Sequence, residues 1–190
     1  MKITIETLKA AFAKLNYKWF ENEANVIGIR TNLQVPDVFN DFICVVWKNE
    51  LLLITSCTTE PGTTYQKKLL NPKGCWVMMP AQMIDAYTIG LHQGKADHVC
   101  LKSSGKIFGL RDSDLDGIAG NSGVAAWAEG SGIGANIHGA NKAGITKVVG
   151  PWSAGCQVIN EWAKKELMIS LLKQSGQTKF TYTLLNEKDI

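Results

Sequence analysis

Residues 132–158 read GIGANIHGANKAGITKVVGPWSAGCQV, and the fold is read outward from two side chains within them, His138 and Cys156. His138 is one of three histidines and Cys156 one of five cysteines. Each stands among small residues, IHGA and SAGC, where a backbone turns tightly and comes close to a ligand. The pattern predicts a short strand over residues 135–138. It predicts a helix over residues 157–173, in which Val158, Trp162, Ile169 and Leu172 share a face and Gly176 lies just past the end. Cys156 then stands at a helix N-terminus, whose first N–H groups lack helical partners and favour an anionic sulfur.

Working outward, residues 4–20 carry a helical pattern with Leu8, Phe12 and Leu15 on one face, Ala10, Ala11 and Ala13 as helix formers, and Asn16 and Tyr17 at the end. Residues 26–29, VIGI, read as a strand. Residues 42–47 and 51–55 read as a hairpin around Lys48-Asn49-Glu50. TTEPGTT, residues 58–64, is a turn set by Pro-Gly and flanked by threonines. Further short strands are expected over residues 75–79, 87–91, 98–101 and 107–110. FTYTLL, from Phe180, is a strongly β-prone last strand. Residues 112–135, rich in Gly, Ser and Asp, read as a long functional loop. Many short strands with Gly and Pro turns predict a β-rich α+β fold. No linker or repeat divides the chain, so residues 1–190 read as a single catalytic domain, with residues 1–20 as an N-terminal helix packed on it.

Composition narrows the function classes. A hydrophobic content of 45% and a charged content of 19% suit a folded globular chain and exclude a disordered one. The net charge of +3, with lysines scattered, gives no nucleic-acid footprint. No apolar run is long enough for a membrane-spanning helix, and no signal peptide is visible. The expectation is synthesis in the cytoplasm, followed by action on a cell wall after lysis-related release or as part of a virion. Five widely spaced cysteines without a CxxC pair point to reduced thiols rather than a zinc ribbon. Cys44 and Cys100 lie in apolar runs and read as buried.

The Cys156–His138 pair carries a chemical expectation. A thiol near an imidazole is the arrangement of a nucleophile and its base. Gly155 lets a scissile carbonyl approach, the N–H groups near Gly155 and Cys156 are candidates for an oxyanion hole, and Ser153 caps the turn or orients the base. His138-Gly139, then Ser153-Ala154-Gly155-Cys156 at matching spacing, resembles the catalytic motif of the L,D-transpeptidases, cysteine enzymes of peptidoglycan. The TTEPGTTY segment is similar to a turn that precedes that family's core strands. GIR at Gly28–Arg30, FND at Phe39–Asp41, IGLH, NIH, WSAGCQV and FTYTL together look like a divergent phage or phage-like group, over residues 19–185.

The resemblance implies an L,D-transpeptidase-like core. It implies a thioester acyl-enzyme on Cys156, His138 shuttling the proton, and the Gly139 carbonyl holding the imidazole tautomer. It implies a peptidoglycan stem peptide or muropeptide as substrate, with no cofactor. For a phage-like protein, hydrolysis of carboxypeptidase or endopeptidase type is favoured over transpeptidation. The chain departs from the family motif at Ala154, Gln157 and Val158, beside the nucleophile. Arg111 or Arg30 is a candidate to replace the missing cationic anchor.

His92, Arg111, Trp152 and Gln157 are the candidate substrate-binding residues. Asp112, Asp114 and Asp116 match the start of a calcium loop, but its twelfth position is Gly123 rather than Glu, and a solvated acidic loop is the favoured reading. Two rivals stand beside the cysteine enzyme. One is a zinc-dependent peptidoglycan peptidase using His92, His98 and His138 with Cys156 or Asp97. The other is a non-enzymatic wall-binding or virion structural module.

Overall fold

The structure, a computed structural model, describes residues 1–33 and 35–190. The first helix, α1 (Ile5–Lys14), begins at a reciprocal cap. The Thr4 hydroxyl accepts from the Thr7 N–H at 3.2 Å and the Thr7 hydroxyl accepts from the Thr4 N–H at 3.1 Å. The helix ends earlier than residue 20 because Asn16 turns left-handed at φ 56°. The chain then folds back, setting Tyr17 and Trp19 edge-on against Phe12 at 6.1 and 5.0 Å.

Among the described residues eleven strands follow: β1 (Asn25–Arg30), β2 (Asp41–Trp47), β3 (Glu50–Thr58), β4 (Cys75–Met78), β5 (Ala81–Leu91), β6 (Val99–Ser103), β7 (Lys106–Asp112), β8 (Ala126–Glu129), β9 (Ile137–Gly139), β10 (Gln157–Ile159) and β11 (Phe180–Asn186). Eight of them close a barrel in the order β1-β11-β5-β6-β9-β10-β3-β2, and β4-β7-β8 form a separate three-stranded sheet. The β2–β3 hairpin turns at Lys48 and Asn49, at φ 54° and 57°. Those angles match the right-handed twist of the two strands.

The molecule is therefore mixed α and β with a β-rich barrel, as the strand pattern predicts. The barrel interior holds Val26, Ile43, Leu53, Met83, Tyr87, Leu101, Ile137, Ile159, Tyr182 and Leu184. A second core lies outside it, where Leu8 and Phe12 of α1 cover Ile27, Ile29, Cys44, Val46 and Leu185. Burial of side chains such as Leu8 and Phe12 is worth roughly 1.5–3 kcal/mol each.

Two expectations are corrected. Residues 112–135 are not a plain loop, since they contain β8 and a helical turn, α3 (Gly130–Ile133). Strand β8 is mostly exposed, so it carries no apolar alternation by which sequence could have revealed it. The helix expected from residue 157 starts later, as α4 (Trp162–Gln174). Residues 157–159 instead form β10, paired parallel to β9 and antiparallel to β3. Sheet hydrogen bonds from two distant segments outweigh the local helical periodicity. The remaining helix, α2 (Thr63–Lys67), follows the Pro-Gly turn.

Candidate active site

Cys156 lies in the loop between a 3-10 turn (Gly150–Trp152) and β10, so no helix N-terminus supports its sulfur. The loop is fixed from within and from outside. The Ser153 hydroxyl donates to the Cys156 carbonyl at 2.7 Å and accepts from the Gly155 N–H at 3.2 Å. Ser153 is thus the closing group of the turn, and the Gly155 N–H is engaged rather than free for an oxyanion. The Gly62 N–H of the TTEPGTT segment donates to the Ser153 carbonyl at 2.9 Å, and the Trp76 N–H donates to the Ala154 carbonyl at 3.3 Å. Gly155 has φ +135°, and a Cβ there would stand 2.6 Å from the Trp76 carbonyl oxygen. Both facts require glycine.

The parallel pairing of β9 with β10 sets His138 opposite Val158, two residues beyond Cys156. Together with Trp152, His92, Tyr65, Trp76, Asn136 and Lys102, both residues line a cavity of about 390 Å³. Of the five cysteines, all free, Cys156 alone is partly exposed, and the other four are buried. Burial pushes the Cys44 thiol up to about 12 and the Cys100 thiol up to about 11, which keeps both protonated. Desolvation also raises Cys156 to about 12, opposed by the Asn136 backbone N–H. The resting sulfur is a thiol, and it donates weakly to the Gly134 carbonyl at 3.5 Å.

His138 is buried, and its Nδ1 lies 2.8 Å from the Gly139 carbonyl oxygen. A carbonyl only accepts, so Nδ1 carries the proton and Nε2 carries the lone pair. Nε2 is buried without a hydrogen-bond partner, and no hydrogen bond joins it to Cys156. Desolvation, followed by the neighbouring His92, holds the imidazole down to about 3.

The tertiary fold also gathers all three histidines. His92 stacks on His138 with ring centroids 4.0 Å apart and planes at 29°, and His98 stands edge-on to His138 at 5.4 Å. Asn136 accepts from the Ser103 N–H at 3.1 Å, which directs its amide nitrogen toward His92 Nδ1 at 3.4 Å. Trp162 packs on His98 at 4.7 Å, and the fully buried Lys165 sets its ammonium 3.7 Å from the Trp162 ring centroid. Lys165 donates to the Val99 carbonyl at 3.2 Å and pairs with Glu166. Burial lowers His98 to about 4 and also lowers His92, so the cluster is neutral at pH 7. Sequence gave no sign of Lys165 in this role, since a lysine at a helical position ordinarily faces solvent.

The other candidates divide. Gln157 is fully buried and does not reach the cavity. Its amide nitrogen donates to the Thr59 carbonyl at 3.2 Å and its amide oxygen accepts from the Tyr182 hydroxyl at 3.0 Å. It faces the barrel interior as Ile159 does, so it is corrected from a substrate contact to a structural residue. Arg111 lies in an adjoining cavity of about 200 Å³, which shares Leu70, Ile133 and Ala154 with the larger one. Arg30 is turned away, donating to Thr59 and to the Met78 carbonyl and pairing with Glu60 at 3.5 Å.

The acidic loop does not converge on a cation. Asp112 accepts from Gly120 N–H and the Ser122 hydroxyl, Asp114 from Asp116 N–H, and Asp116 from Ile118 N–H and Asn121. Among the described residues no group of three or more His, Cys, Asp or Glu side chains is arranged to hold a metal ion, and this covers the three histidines with Cys156 or Asp97. Asp97 pairs with Lys142 instead.

No protein-family model matches the chain, and no curated protein matches it.

Proposed function

We propose that the protein is a cysteine-nucleophile hydrolase of peptidoglycan stem peptides, with an L,D-transpeptidase-like active site, Cys156 as nucleophile and His138 as base. The observation that carries this reading is the placement of the one part-exposed thiol in a cavity beside an imidazole whose free lone pair is fixed by the Gly139 carbonyl. The H-G and S-A-G-C spacing supports it, because these two strand-end segments are the ones that β9 and β10 bring together.

The pair rests as thiol and neutral imidazole, so the proton moves during the attack. Sγ leaves the Gly134 carbonyl, passes its proton to His138 Nε2 and forms a bond to the amide carbon. The tetrahedral adduct collapses to a thioester as the leaving amine takes that proton. Water then repeats the sequence, with His138 accepting its proton, and releases the acid and the free thiol. An amine in place of water gives transpeptidation. The charge makes no nucleic-acid partner part of this reading, and among the described residues no helix is long and apolar enough to cross a membrane. Action on the wall from a virion, or after lysis-related release, belongs to the same proposal.

One observation favours the second reading, a non-enzymatic wall-binding or virion module. The Cys156–His138 hydrogen bond is absent, and burial disfavours the ionised form of both groups. Digestion of purified muropeptides by wild type and Cys156→Ala separates the two. The hydrolase reading expects new termini with wild type and none with Cys156→Ala. Equal product from both rejects Cys156 as the nucleophile, and none from either abandons the hydrolase in favour of the module.

A further inference from the structure

We infer that the Cys156 cavity and the Arg111 cavity form one cleft that selects acidic peptides with two carboxylates, one held by Arg111 and the other by Lys102. The inference rests on the cleft being the substrate site of the proposed acyl transfer, and it names the chemistry of that substrate.

The first ground is the sign of the walls. No aspartate or glutamate lines either cavity, whereas Lys102 lines the larger and Arg111 the smaller. The chain as a whole has nearly balanced charge, with 20 Lys and Arg against 17 Asp and Glu, so the wall composition is a local property. The histidines on the larger wall are neutral and add no positive charge of their own.

The second ground is that both cations are without an anionic partner. Neither Arg111 nor Lys102 forms an ion pair with any described residue, although Lys9, Arg30, Lys142 and Lys165 each do. Arg111 is half-buried and held in place. It donates to the Gly74 carbonyl at 2.8 Å, and its guanidinium carbon stands 5.7 Å from the Trp76 ring centroid. A guanidinium with one engaged donor retains others for a bidentate carboxylate. Lys102 is also placed, because its stem lies over Gly90, with Cδ 2.6 Å from where a Cβ would stand.

The third ground is continuity with the nucleophile. The Trp76 backbone abuts Gly155, its N–H holds the Ala154 carbonyl, and its ring faces Arg111. One residue therefore spans from the Cys156 loop to the cation. Lys102 lies on β6, whose Leu101 pairs with Ile137 of β9, so it reaches the cleft from the His138 side. Both cations line cavities that meet at Ala154 of the Cys156 loop, and a dianionic peptide held by both lies along the cleft that contains the thiol.

Calorimetry on full-length Cys156→Ala tests this, with N-acetyl-γ-glutamylalanine, which has two free carboxylates, and its uncharged diamide as probes. The diacid is expected to bind at least about tenfold tighter than the diamide and to weaken with added salt. R111Q and K102Q, each in the Cys156→Ala background and checked for an unchanged melting temperature, are expected to lower diacid affinity about tenfold and leave the diamide unaffected. Equal binding of the two probes, binding of neither, or an acid preference that survives both substitutions overturns the inference. Cys156 is absent throughout, so a failed muropeptide digest beside a retained acid preference rejects the hydrolase and keeps the cationic cleft.

Discussion

Cys156 and Gln157 are adjacent, and the fold gives them opposite tasks. The thiol faces the cavity, while the amide side chain turns into the barrel to join the Thr59 carbonyl to the Tyr182 hydroxyl. The polar residue after Cys156 therefore reports on barrel packing. Removing a buried group that satisfies two partners costs about 1–3 kcal/mol. Gln157→Ala is expected to lower the unfolding free energy by that amount, read from a lower denaturant midpoint, while leaving KM for a muropeptide at the wild-type value. A raised KM with unchanged stability would return Gln157 to the substrate site.

At the scale of elements, the Cys156 loop is held by its neighbours rather than by a helix. TTEPGTT meets it through Gly62, β4 meets it through Trp76, and Ser153 closes it internally. Gly155 is where these constraints coincide, because its φ is positive and the Trp76 backbone fills the space a side chain would need. Gly155→Ala combines left-handed strain with a backbone clash, a cost of about 2 kcal/mol or more. The expected result is a lower melting temperature together with loss of muropeptide cleavage. Since the clash pushes on Trp76, near-ultraviolet circular dichroism should change as well. Native stability and native spectra in this variant would mean that the loop is free to move off β4.

Across the whole molecule, the histidine cluster joins parts of the chain that lie far apart in sequence. His92 comes from the turn after β5, His98 from the approach to β6 and His138 from β9, with Trp162 and Lys165 of α4 closing over them. The groups facing the rings include Lys165, Lys95, Asn136 and Trp162, and Asp97 is paired with Lys142. Burial depresses His98 to about 4 and His138 to about 3, below the ordinary 6.5 of an unfolded chain. Between those values the unfolded state binds more protons than the folded one. Stability is then fully present above about pH 6.5 and is lost as pH falls toward 4. Thermal melts are expected to drop steeply across this window, and His98→Gln should flatten the slope. A melting temperature constant from pH 7 to 4 would contradict the buried neutral cluster.

The sequence by itself determined what depends on neighbours along the chain. The hairpin around Lys48-Asn49-Glu50, the N-terminal helix and the strand character of VIGI and FTYTLL are written in short segments, and they hold in the fold. His138 and Cys156 were singled out from their small-residue surroundings, and the fold lines one cavity with both, since β9 and β10 lie side by side. Only the tertiary structure decided that Gln157–Ile159 is a strand, since its hydrogen-bond partners lie on β3 and β9, roughly 100 and 20 residues away. It alone stacked His92 on His138, buried Lys165 behind them and withdrew Gln157 from the cavity. Periodicity records which face of a segment is apolar, but closing the barrel selects what that face meets. For Cys156 this replaced a helix N-terminus with a part-exposed position in the loop before β10, the strand that pairs in parallel with the β9 that carries His138.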